Sequence, residues 1–216
     1  MNRIAILRGF LWCWMALFGA GCASNPELTR AKLPEFTEGK TTLVDVLQRL
    51  GQPNFRVQDG SGRLLIRYFD SEDELTPEGK LMGWRAGNPG MLRVRAVSFL
   101  FGSDRVLQAQ LNSYNVLAVD GGLDGVRAGR PLSPALTSAW RQNETSEHDL
   151  VAQLGDPAVQ MLTLQRDLVL VWLRIEWPSP RSPQRRADAL AVRLTDDGKL
   201  AEYSLTVAET VAGVFP

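Results

Sequence analysis

The sequence predicts an α+β protein of two tandem units, each a short helical pair packed on a three-stranded antiparallel sheet. Three observations lead there. Residues 39–53 and 143–157 align without a gap, matching Thr41 with Thr145, Asp45 with Asp149, and the Leu-Gly-x-Pro ending at Gly51 and Pro53 with that at Gly155 and Pro157. Each copy carries both the start and the stop signals of a helix. Each is then followed by three strand-like runs, the last two flanking a turn. Self-similarity on this scale marks a duplicated structural unit.

The helices come first in each copy. Thr42 and Ser146 are N-cap residues, with Asp45 and Asp149 three positions on, a capping box that uses Asp in place of Glu. These carboxylates also sit at the positive end of the helix dipole. Leu43, Val46, Leu47 and Leu50 form an apolar stripe in the first helix, and Leu150, Val151 and Leu154 form one in the second. Gly51 and Gly155 supply left-handed C-terminal residues, and Pro53 and Pro157 prevent continuation.

A strand is predicted over residues 63–69 in the first copy and 168–177 in the second. Paired strands follow at 94–101 and 105–111 around Gly102-Ser103-Asp104, and at 190–194 and 199–205 around Asp196-Asp197-Gly198. The expected organisation is a first unit over 37–113, a linker over 114–136 containing Gly121, Gly122, Gly125 and Gly129, a second unit over 137–207, and a tail over 208–216. Insertions are expected at about 70–91 and 178–187.

Ahead of the first unit, Arg3 and Arg8 precede an apolar stretch from Gly9 to Gly21, shorter than the ~20 residues a membrane-spanning helix needs. Residues 1–21 therefore read as a cleaved signal peptide. The run Leu17-Phe18-Gly19-Ala20-Gly21-Cys22 resembles a lipobox, with Gly19 where Leu is most common. The resemblance implies cleavage between Gly21 and Cys22, acylation of the Cys22 thiol, and a lipidated tether over 22–36. Ala23 rather than Asp after the cysteine implies sorting to the outer membrane, periplasmic face.

Loss of Arg3 and Arg8 with the signal leaves 22 basic against 24 acidic side chains, a balance with no field for nucleic acid. Cys13 lies in the signal and Cys22 is the anchor, so no disulfide framework is expected. His148 is the only histidine, which argues against an imidazole-based metal centre, and no cofactor is expected.

The capped helix, its Leu-Gly-x-Pro ending, a strand with terminal aromatics and a hairpin, all behind a lipobox, resemble the SmpA/OmlA (BamE-like) family of outer-membrane lipoproteins. That family is accessory to the β-barrel assembly machine. The resemblance implies a non-enzymatic, lipid-anchored module that binds the bilayer through Cys22 and other envelope proteins through its folded part. Tandem use of such units also resembles the β-lactamase inhibitor protein, which implies the alternative of a periplasmic inhibitor or ligand-sequestering module gripping an enzyme with a concave sheet.

Ser146, His148 and Asp149 lie within one helical turn, where side chains splay around the axis instead of converging as a catalytic triad requires, so capping is the expected role of Ser146 and Asp149. The acidic run Asp70-Ser71-Glu72-Asp73-Glu74 lacks the spacing of a calcium loop and reads as solvated. Candidate partner contacts are Trp84, among glycines in the first insertion, Trp177 beside Pro178, and the arginines Arg181, Arg185 and Arg186. Trp140 and Trp172 are expected in the core.

Overall fold

A computed structural model describes residues 35–74, 90–122, 125–177, 184–207 and 211–212. Gly21, Cys22, Trp84 and Arg181 lie outside the described residues. In order, the elements are α1 (Leu43–Leu50), β1 (Phe55–Gln58), β2 (Leu64–Glu74), β3 (Gly90–Phe101), β4 (Leu107–Gly122), β5 (Gly125–Ala128), a 3-10 turn (Pro134–Thr137), α2 (Glu147–Leu154), β6 (Val159–Leu162), β7 (Leu168–Trp177), β8 (Gln184–Leu194), β9 (Leu200–Val207) and β10 (Val211–Ala212).

The expectation of two separate units, each a helical pair on three strands, is overturned. Among the described residues all ten strands belong to one antiparallel sheet whose neighbours run β1-β2-β3-β4-β5-β7-β8-β10, with β6 also on β7 and β9 also on β8. The sheet curls into a half-barrel of eight strand positions. The stretch 114–136, expected as a linker, is the second half of β4 together with β5 over much of its length, and β5 joins β4 to β7. The acidic run 70–74, expected in a loop, extends β2, where Asp70 stands opposite Arg95 and Glu72 opposite Arg93. The short strands β1 and β6 were not anticipated.

Within the single sheet the duplication persists in detail. Phe55–Gln58 pairs Leu64–Arg67 in the first half as Val159–Leu162 pairs Leu168–Val171 in the second. The second strand of each hairpin, β4 and β9, is tied to the loop before the helix of its half: Gly39 N–H donates to Leu107 C=O and Leu107 N–H to Thr41 C=O, and Asn143 N–H donates to Leu200 C=O and Leu200 N–H to Thr145 C=O, all four bonds at 2.8 Å. Both hairpins carry a bulge before the turn, at Leu100/Phe101 and Arg193/Leu194.

Alternation along the strands explains why one sheet serves several cores. Leu64, Ile66, Tyr68, Val97, Phe99 and Phe101 face α1 and bury its Leu43, Val46 and Leu50. Leu170, Trp172, Leu190, Val192 and Leu194 face α2 and bury Leu150 and Leu154. The residues between them point the other way, and Leu92, Val94, Ala96, Val159, Met161, Val169, Val171, Leu173, Ala189 and Ala191 meet in a shared core. That shared core fuses the halves.

Candidate functional site

Both helix starts are closed capping boxes. Thr42 N–H and hydroxyl each donate to Asp45 Oδ2 at 2.7 Å, and Asp45 N–H donates back to Thr42 Oγ1 at 3.3 Å. Ser146 N–H and hydroxyl donate to Asp149 Oδ2 at 2.9 and 2.6 Å, and Asp149 N–H returns to Ser146 Oγ at 3.2 Å. The hydroxyl bonds foremost, then the backbone bonds, hold both carboxyls below their ordinary range. Ser146 and Asp149 are thus engaged at the helix start, and His148 beside them is exposed.

The helix ends are closed by glycines at positive φ, Gly51 at 73° and Gly155 at 76°. Each of their carbonyls accepts a bond from an aromatic side chain across the core: Tyr68 hydroxyl to Gly51 C=O at 2.8 Å, and Trp172 Nε1–H to Gly155 C=O at 2.9 Å. Pro53 and Pro157 lie between helix and strand, and Pro157 C=O accepts from Asn115 Nδ2 at 2.8 Å. Of the expected contact residues, Trp177 ends β7 opposite Val126, and Arg185 stands in β8 opposite Val211. Arg186 is exposed and lies 3.4 Å from Asp188 Oδ1. The β7–β8 register, with Glu176 opposite Arg186, sets Trp177 beside Arg185 and Arg186 on neighbouring strands, while Trp84 and Arg181 lie outside the described residues.

What the fold does gather lies around β4. The face of β3 and β4 away from α1 is covered by β6, whose outer edge is satisfied by side chains instead of a strand. Gln160 N–H donates to Ser113 Oγ at 2.8 Å and Leu162 N–H to Ser98 Oγ at 3.2 Å, while Arg67 Nη2 donates to Leu162 C=O.

On the other face, β3 and β4 run on past α1. Met91 stands opposite Ala118, Arg93 opposite Val116 and Arg95 opposite Tyr114. Met91 is 53% exposed, Tyr114 52% and Val116 37%, so three of the five large exposed apolar side chains among the described residues share this patch. The Arg95 guanidinium lies over the Tyr114 ring, 5.1 Å from its centroid.

Beside the patch is a slot. β5 fills the line between β4 and β7 where Val119, Ala128 and Ile175 stand in one row and Asp120, Arg127 and Glu176 in the next. At Gly129 the chain turns out of that line with φ 80°, and a Cβ there would sit 1.9 Å from Leu173 C=O. The Gly129 carbonyl is held by Arg174 Nη1 at 2.6 Å. The vacated line is a cavity of about 390 Å³ between Asn115–Ala118 of β4 and Trp172–Leu173 of β7, closed by Gly129–Leu132 and by Leu154–Ala158.

Neither patch nor slot is legible in the sequence, where Gly121, Gly122, Gly125 and Gly129 suggest a linker. The run Val116-Leu117-Ala118-Val119 is the signal that identifies a strand there.

The two halves also carry one cross-strand pair with its charges exchanged. Asp70 stands opposite Arg95 in the first half, and Arg174 opposite Asp188 at the equivalent place in the second. Asp70, Arg174 and Asp188 are all buried. Among the described residues no group of three or more His, Cys, Asp or Glu side chains could hold a metal ion. Comparison with protein-family models, curated proteins and solved structures finds nothing that matches this chain.

Proposed function

We propose that this chain is an outer-membrane lipoprotein, anchored through Cys22 at the periplasmic face, whose folded body binds other envelope proteins without catalysing a reaction, in β-barrel assembly or envelope integrity. The observation that carries the binding role is the exposed cluster of Met91, Tyr114 and Val116 on one sheet face. Apolar patches of this kind mark protein contact sites. Engagement of Ser146 and Asp149 in a helix cap supports a non-enzymatic reading.

The lipobox supplies the location. Phe36 is buried against Phe99, with ring centroids 5.1 Å apart, so the folded body begins there, 14 residues after Cys22, and partners near the membrane surface are the ones expected.

Two measurements test the proposal. Cys22→Ser is expected to leave an unprocessed or mislocalised precursor; normal fractionation as a mature outer-membrane protein refutes the anchor. Crosslinking and capture from the envelope is expected to recover barrel-assembly components, and recovery of a single hydrolase instead replaces this reading with that of an inhibitor.

A further inference from the structure

Resting on the protein-binding reading, we infer that a cavity at the entrance to the first half receives an aromatic side chain, tyrosine or phenylalanine, from the polypeptide partner that docks on the Met91–Tyr114–Val116 patch. The cavity, of about 530 Å³, opens between the chain leading to α1 and the strands β3 and β4, and is lined by Phe36, Thr37, Val97, Phe99, Gln110 and Asn112. Gln110, Asn112 and Tyr114 stand at alternate positions along one face of β4, so the cavity runs into the patch.

The second half of the molecule shows what such a place holds. Phe36 and Trp140 each lie five residues before the matched threonines Thr41 and Thr145. Gln110 stands opposite Phe99 as Tyr203 stands opposite Val192, and Asn112 opposite Val97 as Leu205 opposite Leu190. In the second half the Tyr203 ring meets Trp140 edge-on, with centroids 5.4 Å apart, and Leu205 packs on the α2 core. In the first half the edge-on contact to Phe36 is made from β3, by Phe99 at 5.1 Å, and no ring stands over β4. Gln110 is drawn aside, its Nε2 donating to Phe36 C=O at 3.1 Å and its N–H to Glu38 Oε1 at 3.3 Å. The space that Tyr203 and Leu205 fill over β9 is thus left over β4 to two polar side chains.

The lining chooses the guest. Phe36, Val97 and Phe99 make an apolar floor, and the exposed Thr37, Gln110 and Asn112 offer hydroxyl and amide groups at the rim. An aromatic ring with a polar end matches both, because the ring gains from burial while its hydroxyl meets the rim. Exposed Glu35 at the mouth disfavours an acidic residue next to that ring. The volume falls within the ~300–1,000 Å³ range of sites that enclose a small organic group. An aromatic anchor in a pocket, with apolar contacts around it, is the arrangement that concentrates binding energy in protein contacts.

The test uses the full mature chain in lipid nanodiscs and N-acetyltyrosinamide, a tyrosine residue with blocked ends, observed by saturation-transfer NMR with N-acetylalaninamide as the control. Saturation of the ring protons ahead of the acetyl methyl is expected, with a dissociation constant on the order of 1–10 mM for a single anchored side chain. The alanine compound is expected to bind at least about tenfold more weakly. Equal binding of the two compounds, or binding of neither, overturns the pocket.

Gln110→Tyr with Asn112→Leu gives the first half the residues of the second and is expected to weaken N-acetyltyrosinamide binding at least about tenfold, while Val44→Lys on the exposed side of α1 leaves it intact. Asn112→Trp alone keeps the Gln110 bond to Phe36 and is expected to block the cavity in the same way. Unchanged binding by these variants, folded by circular dichroism, overturns the site. Binding that appears only when residues 23–34 are deleted assigns the cavity to the chain's own tether and also overturns the proposal. If envelope capture succeeds while N-acetyltyrosinamide does not bind, the cavity is refuted and the wider binding role stands.

Discussion

Replacing Gly129 by alanine tests the junction on which the continuous sheet depends. Gly129 has φ 80°, and an added Cβ would lie 1.9 Å from Leu173 C=O and 3.1 Å from its carbonyl carbon, both backbone atoms of β7. Left-handed backbone costs an L-residue about 1–2 kcal/mol, and forcing a packed neighbour aside costs about 1–3 kcal/mol more. The movement must also pull on the Gly129 carbonyl held at 2.6 Å by Arg174, next to the point where Ala128 pairs Ile175. The expected loss is therefore about 3 kcal/mol, or roughly 6–12 °C in Tm for a domain of this size.

Gly198→Ala is the matched control, because Gly198 has φ 73° with nothing within 4 Å of an added Cβ. The corresponding turn residue of the first hairpin is Arg105 at φ 66°, so a side chain is accommodated at that place. Its expected cost is the backbone preference alone, about 1 kcal/mol. Thermal unfolding followed by circular dichroism reads both variants. If their Tm values agree within about 2 °C, close approach at Gly129 does not constrain the fold and the argument fails.

The two capping boxes are expected to contribute independently, since they share no hydrogen-bond partner: Thr42→Ala and Ser146→Ala each cost about 1 kcal/mol in urea unfolding, and the double variant loses the sum within about 0.5 kcal/mol. Acid stability follows from Asp45 and Asp149. Their carboxyls are held below ordinary values in the folded state, so their contribution is complete above the unfolded pKa near 4 and disappears as pH falls through the folded values. Asp45→Asn with Asp149→Asn is expected to flatten the urea midpoint against pH in that window. Tyr68→Phe removes the 2.8 Å bond from a buried hydroxyl to the C=O of Gly51, which is itself exposed so that water can replace the lost donor, for about 0.5–1 kcal/mol by calorimetry. Trp172→Phe loses its bond to Gly155 C=O and leaves a void in the α2 core, and costs about 2 kcal/mol or more.

The helices are the most legible part of the molecule. Thr42 through Gly51 and Ser146 through Gly155 form the expected capped helices because capping, dipole and glycine effects act over only a few residues. Strand limits were less legible. β3 was expected from Val94 and starts at Gly90, and β4 was expected to stop at Leu111 and runs to Gly122. Nothing local ends β4, because its extension is decided by pairing with β3 on one side and with β5 on the other. The alternation of Phe55-Arg56-Val57-Gln58 and Val159-Gln160-Met161-Leu162 is the signal for β1 and β6, but four residues are too short to stand out from the chain.

The candidate site divides the same way. The cap residues were readable because each box is built from residues three apart. Trp177 and the arginines Arg185 and Arg186 were singled out separately, and it is the long-range pairing of β7 with β8, Glu176 opposite Arg186, that sets them side by side. The Tyr114–Val116 patch and the slot beside it require β4 to be long, β5 to leave its line at Gly129, and β7 to lie beyond.

By itself, then, the sequence determined the duplication, the two helices and their caps, the hairpins, and the lipobox as an expected address. Only the tertiary structure decided that the duplicated halves are one sheet and not two units. The reason is physical: the inward faces of both halves are apolar, and neither can bury that face alone, so β5 carries the sheet across and β6 closes over β3 and β4. The slot is what remains where β5 departs and β6 has not yet begun.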